Sequence, residues 1–204
     1  MQEYFRHSSQ VARLAERFAA RHHPLRAWER LVGRLRPAWP GGDYRVRDGL
    51  IDLAGRRSAD PTAGLCETLE LYHFAVIHRA QPSPRLADAI ARAAVTWPDD
   101  VSARARQLFR DILDCPGFLG PVLRSMYEVG VLERLLPEIE HARCLMQFNQ
   151  YHSFTVDEHT LRTIDACDAF LHDAGPIGTA CRSINHKLLL HLSLLLHDLG
   201  KGFP

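Results

Sequence analysis

The run Leu188-Leu-Leu-His-Leu-Ser-Leu-Leu-Leu-His-Asp-Leu199 decides how this sequence is read. Apolar residues fill nearly every position, which suits a helix covered on all sides and central in its domain. Gly200 follows as the C′ residue that closes such a helix. His191 and Ser193 interrupt the run, and it falls far short of the roughly 20 apolar residues that span a bilayer. No membrane segment is read here. At the end of the run stands His197-Asp198, and an apolar helix does not carry a carboxylate at a buried end without a compensating partner.

Working outward, Thr155-Val-Asp-Glu158 spells a capping box, in which Thr155 accepts from the Glu158 backbone and the Glu158 side chain reaches back. Asp157 and Glu158 also suit the positive end of the helix dipole. That helix continues through Leu161, Ile164 and Phe170 until Gly175-Pro176 ends it, and it places His159 one turn in. If Leu161 and Ile164 pack on Leu192 and Leu195, then His159, His197 and Asp198 converge. Imidazole nitrogen with carboxylate oxygen suits divalent transition metals or Mg²⁺, and a carboxylate can bridge metals that clamp a phosphoryl group. A histidine on an apolar helix is more often a hydrogen-bonded core residue than a ligand, so pattern alone leaves both readings open. His172-Asp173 is a decoy at a helix end, where an imidazole serves exposed carbonyls. His152, in the polar and aromatic loop Gln147-Phe-Asn-Gln-Tyr-His152, lines the site or simply packs. His191 faces outward or caps a polar neighbour, and His7, His22 and His23 belong to an Arg-rich surface.

Elsewhere apolar residues at spacings of three and four dominate, so the fold class is all-α, mainly helical. Val11, Leu14, Ala15 and Phe18 form the inward stripe of a first helix, which Pro24 ends before a second segment, Leu25 to Leu35. Pro37, Pro40, Gly41 and Gly42 then break the helix. Tyr44-Arg-Val46 and Leu50-Ile-Asp-Leu53 flank Asp48-Gly49, which predicts a two-stranded hairpin as the chain's single piece of β structure. Asp60-Pro61 reads as an N-cap with Pro at the first helical position, opening a helix to about His78, and Ser83-Pro84 repeats the signal. Helices follow from about Val101 to Leu113, from Leu119 to Val129, stopped by Gly130, and from Val131 to Leu136.

The 204 residues are 46% hydrophobic and carry a formal charge of +1, which excludes a disordered chain and gives no field for a nucleic-acid or anionic-membrane partner. Met1 to Arg57 holds 12 Arg against 6 acidic residues (+6) and the remainder 13 bases against 18 acids (−5), a modest asymmetry of an Arg-rich composition. Cys66, Cys115, Cys144, Cys167 and Cys181 form no C-x-x-C pair, and Met1-Gln2-Glu3 opens no signal peptide. The chain reads as a reduced, cytoplasmic protein.

Tyr151-His-Ser-Phe-Thr-Val-Asp-Glu-His-Thr-Leu161, preceded by Met146-Gln-Phe, and Leu195-Leu-His-Asp-Leu-Gly-Lys-Gly202 closely resemble the opening of the HD domain in bifunctional uridylyltransferase/uridylyl-removing enzymes of the nitrogen-signalling protein PII. Gly130-Val-Leu132, Leu136-Pro-Glu138 and Tyr4-Phe-Arg-His7 are similar to the same family, so the resemblance spans nearly the whole chain. It implies a helical connector over residues 1–145, following a nucleotidyltransferase domain, and the N-terminal part of a metal-dependent HD domain over 146–204. It further implies His159, His197 and Asp198 as metal ligands for Mg²⁺ or Mn²⁺, Lys201 as a catalytic group meeting phosphate, PII as partner, and UTP and UMP as substrate and product of the parent enzyme. An HD domain needs a further His and a final Asp downstream. The transferase needs a Gly-Ser turn and an Asp-x-Asp pair, and here no two aspartates are separated by one residue. The expectation is therefore an interior fragment with an incomplete metal site, inactive alone. The rival readings are another HD-family nucleotide phosphohydrolase and a non-catalytic regulatory module.

Overall fold

The computed structural model describes residues 2–22, 44–54, 60–146 and 154–202. The expected helix over Leu25 to Leu35, the Pro37 to Gly42 break and the loop Gln147 to His152 lie outside them. The described chain is mainly helical. Helix α1 (Gln2–His22) precedes strands β1 (Tyr44–Arg47) and β2 (Leu50–Leu53). Then come α2 (Leu65–His78), β3 (Gln81–Pro82), α3 (Pro84–Ala94), α4 (Ala103–Leu113) and α5 (Leu119–Glu128). The series ends with α6 (Leu132–Leu135), α7 (Glu138–Ala142), α8 (Val156–Phe170), α9 (Pro176–Ser183), α10 (Lys187–Leu196) and a 3₁₀ turn, Leu199–Gly202. No helix among these residues is long and apolar enough to cross a membrane.

The hairpin forms as read: Asp48 and Gly49 take φ of 52° and 75°, the left-handed pair that a two-residue type I′ turn requires. It is not the whole of the β structure. Gln81–Pro82 joins β2 in parallel, through Gln81 N–H to Gly49 O (2.9 Å) and Ser83 N–H to Ile51 O (2.8 Å), making a three-stranded sheet with Ile51 fully buried. Two residues are too few to show alternation, which is why the sequence concealed this strand. Ser83 then caps α3, accepting from Leu86 N–H at 3.3 Å with Pro84 behind it, as expected.

Three other signals resolve differently. Asp60 accepts from the Thr62 backbone and hydroxyl (2.9 and 2.6 Å), so it makes a tight turn, and α2 begins only after Gly64. Gly175-Pro176 does not merely end a helix; Pro176 is the first residue of α9, an element the sequence reading passed over. Of the α1 stripe, Val11 and Leu14 are about two-thirds exposed, while the first turn is tied down by Gln2 Nε2 donating to Arg143 O at 2.9 Å.

The central helix is α2. Leu69, Leu71, Tyr72 and Ala75 are fully buried, and the Tyr72 hydroxyl meets the Ser125 hydroxyl at 3.0 Å. The expectation that the Leu188 to Leu199 helix is central fails: α10 buries His191 and Leu195, but Leu189 is 59% exposed. Its extra leucines line an apolar groove shared with α8 and α9. There Cys167 and Cys181 bring their sulfurs within 4.0 Å, and burial pushes the Cys167 thiol up to about 12.

Helices α5 and α8 pack closely, and α8 caps its neighbour. The buried Asp168 carboxylate accepts from Gly117 N–H (2.6 Å) and Gly120 N–H (2.9 Å), filling the N-terminus of α5 that Phe118 cannot cap. A Cβ at Gly120 would stand 3.1 Å from the Asp165 Cα, so only glycine permits this approach. Arg124 on α5 reaches across to Glu158 (2.8 Å) and Asp165 (3.0 Å). Glu158 is thereby drawn away from the expected capping box, and Thr155 makes no side-chain cap; the α8 N-terminus instead follows a backbone link, Val156 N–H to Leu145 O at 2.9 Å. Asp157, read as a partner for the positive end of the helix dipole, is buried and also accepts from the Tyr127 hydroxyl and from Cys144 N–H (2.9 Å).

Replacing Asp168 by Ala should cost about 2–4 kcal/mol, since two backbone donors lose their acceptor. Gly120→Ala should cost about 1–3 kcal/mol by forcing the helices apart. Urea midpoints with unchanged slopes are the measurement.

Candidate metal centre

His159 leaves α8 in its first turn, and His197-Asp198 follow α10 directly, before the 3₁₀ turn. Packing of α8 on α10 brings them together: His159 Nε2 lies 3.8 Å and His197 Nε2 3.6 Å from the same oxygen, Asp198 Oδ2. The two imidazole rings are 5.6 Å apart between centroids. One ligand atom from each of the three residues falls within 4.8 Å of the others. Ligands on one divalent cation stand about 3.0–3.4 Å apart, given metal–ligand distances near 2.1 Å, so modest side-chain closure would bring all three onto one ion.

The donor chemistry also fits. His197 Nδ1 is 2.7 Å from Leu194 O, and a carbonyl only accepts, so Nδ1 carries a proton and Nε2 is the nitrogen that faces Asp198 and can ligate when the ring is neutral. Asp198 forms the floor, its side chain 9% exposed, whereas His159 and His197 stand at the open rim. Burial alone would raise the Asp198 carboxyl, but the hydrogen bond from Lys201 and the charges of His197, Lys201 and His159 hold it below the usual carboxylate value. Lys201 Nζ donates to Asp198 Oδ2 at 2.8 Å, across one 3₁₀ turn closed by Lys201 N–H to Asp198 O (3.0 Å). The sequence reading placed Lys201 near phosphate and did not see this contact; the i, i+3 spacing of Asp and Lys in a turn was the available signal.

Among the described residues the other histidines stay out of the cluster. His191 is buried, and its Nδ1 meets Leu113 O at 2.6 Å, so it caps the last carbonyl of α4 and does not face outward. Asp173 of the decoy pair accepts from Gly178 N–H at 3.2 Å, serving the start of α9. His152 lies outside the described residues. Asp114, unnoticed in the sequence, accepts from Leu188 N–H at 3.1 Å and anchors the first turn of α10.

Comparison with curated proteins identifies the lineage. The chain aligns over its whole length, at 34% identity across 222 aligned positions, with a bifunctional uridylyltransferase/uridylyl-removing enzyme of Ruegeria pomeroyi. A protein of the same name from Cereibacter sphaeroides aligns at 31% over 222 positions. The chain is homologous to a segment of these enzymes. It spans 23% of the length of either relative. No family model matches it, and no solved structure does.

Because His191 serves packing, His191→Ala should lower stability by about 1–3 kcal/mol through an orphaned buried carbonyl. Mn²⁺ binding, followed by calorimetry well below the melting temperature, should be retained in that variant, because Asp114 still holds the first turn of α10 and none of the three candidate ligands is lost.

Proposed function

We propose that this chain is part of a bifunctional uridylyltransferase/uridylyl-removing enzyme acting on the signalling protein PII in the cytoplasm. Residues 1–145 would serve as the helical connector after a nucleotidyltransferase domain, and 146–204 as the opening of an HD phosphodiesterase domain. The observation that carries this reading is the convergence of His159, His197 and Asp198 on one point, in a chain homologous to enzymes named for removing a uridylyl group.

In this reading His159, His197 and Asp198 hold Mg²⁺ or Mn²⁺. The cation supplies Lewis acidity toward the phosphodiester and a more acidic bound water. The chain's own contributions follow from the geometry. Asp198 offsets the cation's charge from the floor of the site, where its low exposure strengthens the attraction. The hydrogen bond from His197 to Leu194 O keeps that imidazole in the tautomer that can ligate. The half-exposed His159 closes the solvent side, where a modified tyrosine of PII would enter. Lys201 bonds the carboxylate at the edge of the site, and its flexible stem would let the ammonium turn to a phosphate oxygen of the departing UMP. UTP belongs to the transferase half of the parent enzyme.

Mn²⁺ binding should be saturable and should weaken by more than about 30-fold in His197→Ala and Asp198→Ala, while His172→Ala binds like the unaltered protein. In the full-length protein, release of UMP from uridylylated PII should require Mn²⁺ or Mg²⁺ and fall by more than about 100-fold with either ligand substitution. Undiminished UMP release in Asp198→Ala would remove this assignment.

A further inference from the structure

The three groups around Asp198 compete for a single atom. His159 Nε2, His197 Nε2 and Lys201 Nζ all address Oδ2, at 3.8, 3.6 and 2.8 Å, and Lys201 is the one in hydrogen-bond contact. A carboxylate this buried needs a positive partner, and Lys201 provides it from three residues along the chain. The 3₁₀ turn makes the contact local and easy to form again after it breaks, since the backbone bond from Lys201 to Asp198 keeps the ammonium within reach. The Lys201 side chain is 34% exposed, so its four-carbon stem has open space into which to swing.

A divalent cation held by the two imidazoles and Oδ2 would sit within a few ångströms of this ammonium. Two cations would then share one carboxylate oxygen, and their repulsion at that separation opposes loading. We infer that Lys201 is the resident counter-cation of the metal centre, which an incoming divalent ion must displace from Asp198. The displaced ammonium is then free to meet a phosphate, so that metal loading and exposure of the phosphate-binding charge become one event. This rests on the metal-centre reading above and adds to it a residue that weakens metal binding while the site is unloaded.

The test measures Mn²⁺ affinity by calorimetry, checked by the electron-spin-resonance signal of free Mn²⁺, at low ionic strength. Lys201→Met should bind Mn²⁺ about tenfold more tightly than the unaltered protein, because the competing charge is gone. Lys201→Arg, which keeps the charge, should stay close to the unaltered protein, and raising the salt concentration should narrow the gap between Met and Lys. Equal or weaker binding in Lys201→Met overturns the counter-cation and leaves the metal centre standing. Absence of saturable, Asp198-dependent binding in all three proteins overturns the metal-centre reading and this inference together.

Discussion

The seating of α8 on α5 governs where everything near the candidate site lies. Asp168 carries it, as a carboxylate from one helix that caps the backbone of another at Gly117 and Gly120. A charged acceptor on backbone donors is stronger than a neutral cap and has a narrow geometry, so it fixes both the depth and the rotation of α8. Gly120 allows the close approach, and Arg124 locks the flank by bridging Glu158 and Asp165. With Asp157 bound to Tyr127 and Cys144, four acidic residues of α8 point to structural partners. His159, on the same helix, is turned toward α10 as a consequence.

The second wall is set from α4. Asp114 holds the first turn of α10 through Leu188 N–H, and His191 one turn later holds Leu113 O. Two bonds across more than seventy residues of chain define the register of α10, and Leu195 completes the seat in the core. His197-Asp198 emerge where α10 stops and the chain turns back over α7, which is how an imidazole and a carboxylate reach the first turn of α8. The site is therefore a product of two helix-end contacts that lie outside it. Its electrostatics are local by comparison: one buried carboxylate, two imidazoles and one lysine.

Much of this was legible in the residues. The hairpin at Asp48-Gly49, the Ser83-Pro84 start and the stop at Gly130 rest on short-range chemistry that a sequence displays directly, and the pairing of His159 with His197-Asp198 was legible only through the apolar residues that pack α8 on α10. The errors share a cause. Thr155 to Glu158 has the spacing of a capping box, Asp60-Pro61 that of a helix start, and Leu188 to Leu199 the composition of a central helix. Each local preference is worth about 1 kcal/mol and was overridden by a competing partner: distant ones in two cases, where Arg124 took Glu158 and α2 took the centre of the core, and a neighbour in the third, where Thr62 drew Asp60 into a tight turn.

By itself the sequence determined the helical class, the turn residues, the set of chemically capable side chains and the homology to uridylyl-removing enzymes. Periodicity, left-handed glycines and a motif are properties of neighbours along the chain, and they survive in any fold that the chain adopts. Tertiary structure alone decided that Asp168 caps α5, that His191 is a buried carbonyl partner, that Gln81–Pro82 is a strand, and that the oxygen bonded by Lys201 faces both imidazoles. These are contacts whose partners are far apart in sequence or whose geometry depends on how the helices pack. Their energies come from desolvated charge and from backbone groups with no other partner, and neither exists until the helices have come together.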